Sequence, residues 1–570
     1  MSKTIKILIN KRDYSDYEYI EPETNNPLDI NDYNFIDPIK DKLFTRDYLI
    51  VNGENYELKH SYIRNLAKIA GVLVLEDGKT YGRTKNGKRL LYKCIPDDKR
   101  LPMFLIPYDI KNNFNKKQIN KYVVFEFDNW VNKHPQGKLT MTIGNIDILE
   151  NFYEYQLYCK NLNISISEFN KTVKSELKLR TEENMEDTIF NNINYKINDR
   201  TNDVVITVDP ENSYDFDDGL GVIKNDDGTY RVTVYISNVY LWLDMLNLWG
   251  SFSNRVSTIY LPDYRRPMLP TLLSEQLCSL QARKKRFVVA TDFIVLSNGQ
   301  IKSVEYVNCM INVCKNYVYE DTELLKRKDY NILLMLANKA DNDIITSHDT
   351  IAYWMKQYNI HTGLTMFENK IGIYRSVKYV ENIKRDTKEN FTKDTLMVIK
   401  NWNNVTGHYI NYNDDNDITH DLLDLKAYIH MTSPIRRLVD LINQSIFLKE
   451  LNLISEQSVN AKQFINKWVP ELEYINNSMR SIKKIQNECN LLNLCFKTPN
   501  ILNHEYTGVI FDKIKKNDGT FNYMVFLEKI KVLYRYISPI EFDNYSKNKF
   551  KLFIFYNADK FKKKIRIQHI

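Results

Sequence analysis

The run "VVITVD" at residues 204–209 alternates as a half-buried strand does, and Pro210 stops it. Asp209 therefore stands at a strand mouth, and Asp215, Asp217 and Asp218 return in the loop that follows, four aspartates within ten residues. Carboxylates held so close raise one another's pKa unless cations neutralise them. Magnesium suits such a site, because it prefers oxygen ligands and takes a few carboxylates together with substrate phosphate oxygens. Two such ions about 3.5–4 Å apart could activate a water and steady the leaving oxygen of a phosphodiester, with manganese as a substitute metal. On this stretch alone a solvated acidic turn stays open, as does a glycosyltransferase-like D-x-D at Asp215 and Asp217. A calcium EF-hand does not fit, since its regular spacing and terminal glutamate are missing.

A second constellation, "HMTSPIRRLVDL" at residues 430–441, has the pattern of a helix start. Ser433 is the expected N-cap and Pro434 the first helical residue, which puts Arg436 and Arg437 in the opening turn. Two cations there oppose the helix dipole, and a docked RNA phosphate would relieve the conflict. Asp440, three residues after Arg437 and four after Arg436, offers a salt bridge instead. One aspartate offsets only part of that charge, so the phosphate reading is preferred.

The chain has 570 residues, which predicts several domains, and its 79 Lys and Arg against 72 Asp and Glu leave a formal charge of +7 that favours polyanions. No apolar run is long enough for a membrane span and the first residues lack a signal-peptide core, so an intracellular, cytoplasmic protein without membrane association is expected. The seven cysteines lack zinc-knuckle spacing and read as reduced packing residues.

Residues 1–45 are polar and turn-rich, and read as an irregular lead-in. Short alternating runs over residues 46–150 predict a small β-barrel of the OB or cold-shock type. Helical spacing over 151–194 suggests a connector, and residues 195–500 read as a mixed α/β catalytic body. Alternation returns over 501–570, ending in "KFKKKIRIQHI", and predicts a second OB-type barrel with a basic rim. The expected fold class is thus multidomain α+β.

Together these segments resemble the ribonuclease II/R (RNB) family of 3′-to-5′ exoribonucleases. The matching stretches are "TVDPENSYDFDDGLGV" (207–222), "VYISNVYLWL" (234–243), "STIYLPDYRRPMLPTLLSEQLCSL" (257–280) and "YIHMTSPIRRLVDLI" (428–442). Upstream, "RLLYKCIPDDKRLPMFLIPYDIK" and "NFYEYQLYCKNL" look like the cold-shock region of the eukaryotic enzymes, and no N-terminal endonuclease domain of the exosome type is evident. The resemblance implies that Asp209, Asp215, Asp217 and Asp218 bind magnesium and position the attacking water, and that Arg436 contacts the scissile phosphate. It implies that Tyr260 stacks near the 3′ end of single-stranded RNA, with Arg437, Arg375 and Glu488 as further RNA contacts. The implied substrate is single-stranded RNA with a free 3′ end; no protein partner can be read from the sequence. Three departures bear on RNA-end contacts: Ile332 where the family carries a glutamate, Gln444 in place of a histidine, and Cys489 in place of an arginine. They leave open an RNA-binding protein on the same scaffold with weak or no catalysis.

Overall fold

The computed structural model describes residues 2–110, 118–178, 180–378, 391–405, 407–516, 518–557 and 562–570. The chain begins with a sheet. Strands β1 (Lys3–Ile9), β2 (Tyr17–Ile20), β3 (Pro27–Leu28), β4 (Asp47–Asn52) and β5 (Asn55–Ser61) form one antiparallel sheet in the order β3-β2-β1-β4-β5. The expected irregular lead-in over residues 1–45 is thereby corrected. The physical reason lies in "KTIKILI", where Ile5, Ile7 and Ile9 alternate into the core, while the polar composition belongs to the connections between strands. Those connections still contribute rings, and Tyr19 packs on Tyr33 with centroids 5.3 Å apart.

The predicted barrel over 46–150 is likewise smaller than expected, because β4 and β5 belong to the first sheet. The barrel itself closes from β6 (Ile69–Leu73), β7 (Leu90–Pro96), β8 (Phe104–Tyr108), β9 (Lys121–Asn129) and β10 (Gln136–Asn145). It shares one core with the first sheet, across which Phe44 stacks on Phe104. Helices α1 (Leu149–Cys159), α2 (Ser167–Leu177) and α3 (Glu182–Phe190) follow.

The central body is built on a second closed barrel, β11 (Asn198–Asp209), β12 (Asp218–Lys224), β13 (Tyr230–Ser237), β16 (Lys285–Val295) and β17 (Ile301–Val318). Between β13 and β16 the chain makes α4 (Val239–Met245) and the hairpin β14 (Ile259–Tyr260) and β15 (Arg265–Arg266). After β17 come α5 (Lys328–Ala340), α6 (Ser347–Glu368), β18 (Ile373–Ser376), α7 (Lys393–Val405) and β19 (His408–Asn411). Helices α8 (Leu438–Glu450), α9 (Val459–Trp468) and α10 (Leu472–Lys497) complete the body. Helix α8 is buried nearly all round, as its sequence "LVDLINQSIFLKE" requires.

The C-terminal unit is a five-stranded antiparallel sheet of β20 (Glu505–Lys515), β21 (Phe521–Leu527), β22 (Val532–Ser538), β23 (Lys547–Asn557) and β24 (Lys562–His569), in the order β22-β21-β20-β23-β24. Its two edges meet where the Tyr534 hydroxyl donates to the Ile565 carbonyl. Among the described residues, no helix is long and apolar enough to cross a membrane.

Candidate active site

Strand direction in the second barrel gathers the acidic cluster. β11 and β17 run parallel, with Asp209 opposite Val318, whereas β12 runs antiparallel to β11 and starts at Asp218. The end of β11, the start of β12 and Tyr319 therefore share one barrel mouth, and the Tyr319 N–H donates to the Asp209 carbonyl at 3.2 Å. Strands β11 and β12 approach closely here. A Cβ on Gly221 would lie 2.9 Å from the Val204 carbonyl oxygen, which is why the strand reads "DGLGV" after the aspartates.

The loop between them is pinned by the segment before β16. Phe216 N–H donates to Ser279 Oγ at 3.1 Å, the Ser279 hydroxyl donates to the Tyr214 carbonyl at 2.8 Å, and Leu280 N–H reaches the Phe216 carbonyl at 2.9 Å. Arg286, fully buried, in turn holds that segment through the Ser279 and Gln276 carbonyls, both at 2.7 Å. A charge buried in the barrel wall thus fixes the loop that presents the carboxylates.

Each aspartate has its own setting. Asp217 is buried and accepts Ile435 N–H at 2.8 Å on one oxygen and Arg436 Nε–H at 3.2 Å on the other. Asp215 is paired with Arg265 at 2.6 Å, and the Tyr260 hydroxyl lies 3.5 Å from its second oxygen. Asp209 keeps a buried Oδ2 without a hydrogen-bond partner. Among the described residues neither Asp209 nor Asp218 has an ion-pair partner.

The helix start expected at Ser433 is displaced. Residues 434–436 form a turn, Arg437 has extended backbone, and α8 begins only at Leu438. Ser433 does not cap with its hydroxyl; its carbonyl accepts the Arg436 and Arg437 N–H groups at 3.2 and 3.0 Å. The first amides of a helix have no carbonyl of their own to reach, and here carboxylates take the place of the cap: Ile435 N–H goes to Asp217 and Ser433 N–H to Asp440 at 2.8 Å. The two arginines consequently part. Arg436 faces Asp217 with two fifths of its side chain exposed, while Arg437 turns inward to Asp440 at 2.8 Å.

A short backbone ladder ties this turn to the hairpin. The Arg436 carbonyl accepts Thr258 N–H at 3.0 Å and the Ser257 hydroxyl at 2.9 Å, and Leu438 N–H donates to the Val256 carbonyl at 2.9 Å. Two residues further on, Tyr260 keeps 39% of its surface exposed, so it is a rim residue and not a core tyrosine. Directly across the hairpin from Tyr260 stands Arg265, whose guanidinium also packs 5.3 Å from the exposed Tyr214 ring. Sequence reasoning assigned Arg265 no role. Its signal was the hairpin spacing in "YLPDYR", which makes the two residues cross-strand partners.

Arg375 and Glu488 are not among the groups that hold the aspartates. Arg375 in β18 lies over the Tyr409 ring at 5.1 Å, and Glu488 is on the exposed face of α10 beside Tyr534 of the C-terminal sheet. The three departures are also placed. Gln444 is fully buried, accepts Val239 N–H at 3.1 Å and donates to the Ser237 carbonyl at 2.8 Å, so it caps α4. Cys489 is buried in the core, and Ile332 packs half-buried against it.

Electrostatically the mouth is under load. Burial, and next the charge of Asp218, push Asp209 up; burial pushes Asp218 up as well; and burial holds Asp217 well above the ordinary carboxylate range despite Arg436. Such groups ionise together only if positive charge is supplied. An all-oxygen donor set with an orphaned buried oxygen on Asp209 is chemically suited to magnesium. Among the described residues, no three His, Cys, Asp or Glu side chains already stand as a metal-holding group. Arg265 and Arg436 occupy Asp215 and Asp217 in this arrangement.

The sequence matches the RNB domain over residues 197–369 and 336–452, the segment that contains the four aspartates, Tyr260, Arg265 and Arg436. This is an RNB-domain protein. A second match, to the Dis3-like cold-shock domain 2, covers residues 91–154 and falls on the strands β7 to β10 and the start of α1. Over 351 residues the chain is 26% identical to the DIS3-like exonuclease 2 of Schizosaccharomyces pombe, covering 55% of this chain and 37% of that protein. The RNB-domain chain thus spans under two fifths of that relative's length.

Its architecture is that of RNase R. The Mycoplasma genitalium RNase R solved in complex with ribose methylated single-stranded RNA superposes with a TM-score of 0.66 at 15% identity, covering 100% of both chains. Yeast Ssd1, described as a pseudonuclease, superposes with a TM-score of 0.56 at 13% identity over 96% of this chain and 80% of its own. The RNB fold is therefore shared by proteins described as a nuclease and as a pseudonuclease, and the site residues must carry the functional argument.

Proposed function

We propose that this RNB-domain protein is a hydrolytic 3′-to-5′ exoribonuclease that degrades single-stranded RNA to 5′-nucleoside monophosphates, with magnesium held by Asp209, Asp215, Asp217 and Asp218. The observation that carries this reading is the half-exposed Arg436 facing a barrel mouth of four carboxylates. Bound magnesium would supply an activated water and neutralise charge at the leaving oxygen, in a two-ion arrangement.

The chain's own residues do the remainder. Arg436 offers a fixed charge to the scissile phosphate, where negative charge develops, and Asp217 orients its guanidinium. Tyr260 and Tyr214 present exposed rings beside the mouth, and stacking on them accepts any base, which suits stepwise degradation. Arg265 neutralises Asp215, and would have to release it before that carboxylate could hold a metal. The barrel of β6 to β10 and the C-terminal sheet both carry more Lys and Arg than Asp and Glu, and a single strand would approach along them.

A second reading, an RNA-binding protein with weak or no catalysis, is supported by one observation: Asp215 and Asp217 are already engaged by arginines. One experiment separates them. End-labelled, 3′-tailed RNA is incubated with the protein across a magnesium titration, beside DNA of the same sequence. Mononucleotide release from RNA alone supports the nuclease; a mobility shift without release at any magnesium concentration supports the binder. Cleavage of the DNA would remove the sugar selectivity.

A further inference from the structure

Arg437, with a fifth of its side chain exposed, and the fully buried Asp440 form a pair that the reaction scheme above does not use. Asp440 has no exposed surface, and its Oδ1 accepts two donors, Ser433 N–H and Arg437 Nη2–H, both at 2.8 Å. Arg437 also reaches Thr432 Oγ1 at 3.4 Å, so the pair brackets the turn from both sides. Within that turn the Ser433 carbonyl accepts the Arg436 and Arg437 amides, and the Arg436 carbonyl is fixed by Ser257 and Thr258. What the turn delivers to Asp217 is the Ile435 N–H and the Arg436 Nε–H. Four of the five residues from 433 to 437, all but Pro434, are thus tied down by hydrogen bonds.

From this geometry we infer that Asp440 and Arg437 are positioning residues: together they lock the 433–437 turn so that Arg436 is aimed at the acidic mouth, and Arg437 makes no contact with RNA phosphate. The inference rests on the nuclease reading for its catalytic consequence, but the place of Arg437 does not depend on it. Two arginines adjacent in sequence would then have separate tasks, one exposed to substrate and one spent on the scaffold. Asp440, in the first turn of α8, suits this role, since a carboxylate there is also favoured by the helix dipole while it faces the preceding turn.

Three variants test it: Arg437→Gln, Asp440→Asn, and the double Arg437→Gln/Asp440→Asn, which removes both charges of the pair and stays testable if a single variant fails to fold. Folding is checked by thermal unfolding. Turnover at saturating RNA is expected to fall about tenfold or more in each, with KM within about twofold, and the double to be no worse than the poorer single, as expected for residues that act as one unit. RNA affinity is measured against salt with magnesium replaced by EDTA. A lost phosphate contact on a single strand makes the log–log slope shallower by about 0.7, and the slope is expected to stay unchanged for Arg437→Gln. Hydrogen exchange of the 433–437 amides, which needs neither RNA nor turnover, is expected to accelerate in Asp440→Asn. A shallower slope in Arg437→Gln, unchanged exchange in Asp440→Asn, or losses that multiply in the double would each overturn the inference. Should the unaltered protein release no nucleotides, the nuclease reading falls, while the salt slope and the exchange rates still decide where Arg437 points.

Discussion

Asp217 accepts the Arg436 Nε–H at 3.2 Å although 219 residues separate them in the chain. The pair sets a buried carboxylate, held well above its usual pKa by burial, against a guanidinium that still reaches solvent. Replacing Asp217 by Asn keeps an acceptor for Ile435 N–H but removes the charge that orients Arg436. Turnover should drop by about 100-fold or more, the scale of losing one preorganised charge contact at a reacting phosphate. RNA affinity in EDTA should stay within about threefold, because Asp217 is an anion that offers a phosphate strand no attraction of its own. Thermal stability should hold or rise, since burial disfavours the Asp217 charge and Arg436, left without it, still reaches solvent. Full activity on 3′-tailed RNA with magnesium would defeat the assignment.

How much of this site can be read from the chain depends on whether its geometry is local. Alternation in "VVITVD" and the stop at Pro210 make the strand mouth legible, and the aspartates follow within one loop. Arg265 is hidden because its meaning comes from a hairpin partner and from Asp215, 50 residues upstream. The helix start at Ser433 is a sound local inference that long-range acceptors overrule: Asp217 takes an amide that local capping rules assign to the Ser433 hydroxyl. Gln444 looks like a departure at an RNA contact, yet its amide is consumed by Ser237 and Val239, more than 200 residues away in sequence. The first sheet was masked by composition, because its strands are short and its long connections are acidic and polar.

Arg265 competes for the carboxylate it pairs with. Its Nη1 sits 2.6 Å from Asp215, and its other nitrogen is on Glu275. Arg265→Gln should therefore lower the magnesium concentration needed for half-maximal activity by several-fold, because the cation no longer has to displace a guanidinium. The same variant should bind RNA within about twofold of the parent at fixed salt. A magnesium titration of mononucleotide release measures the first effect, and a rightward shift would show that Arg265 assists the metal instead of opposing it.

Gln444 should matter for stability and not for RNA. Gln444→Ala leaves the Ser237 carbonyl and the Val239 N–H unsatisfied in a fully buried position. The expected cost is about 1–3 kcal/mol, read as a lower denaturant midpoint, because a buried polar group without its partner loses its full desolvation penalty. RNA affinity and its salt slope should not move. A variant with unchanged stability but weaker RNA binding would return Gln444 to the RNA path.

In the first sheet Asp47 is buried without exposed surface and accepts Phe44 N–H at 2.9 Å on one oxygen while the other has no hydrogen-bond partner. Burial pushes its pKa up to about 6. In the unfolded chain the same group titrates near the ordinary carboxylate value of about 3.9, so the folded state binds the proton more tightly. Its contribution is present in full below that value and is lost as pH rises through about 6, a swing of roughly 2–3 kcal/mol. Asp47→Asn cannot ionise and keeps an acceptor for Phe44, so the variant should match the parent at pH 4 and exceed it at pH 7. Thermal unfolding of both proteins at pH 4, 5, 6 and 7 measures the difference directly. Parallel curves, or a variant less stable at pH 7, would mean that Asp47 stays ionised in the folded sheet and draws support from a cation the fold brings near it.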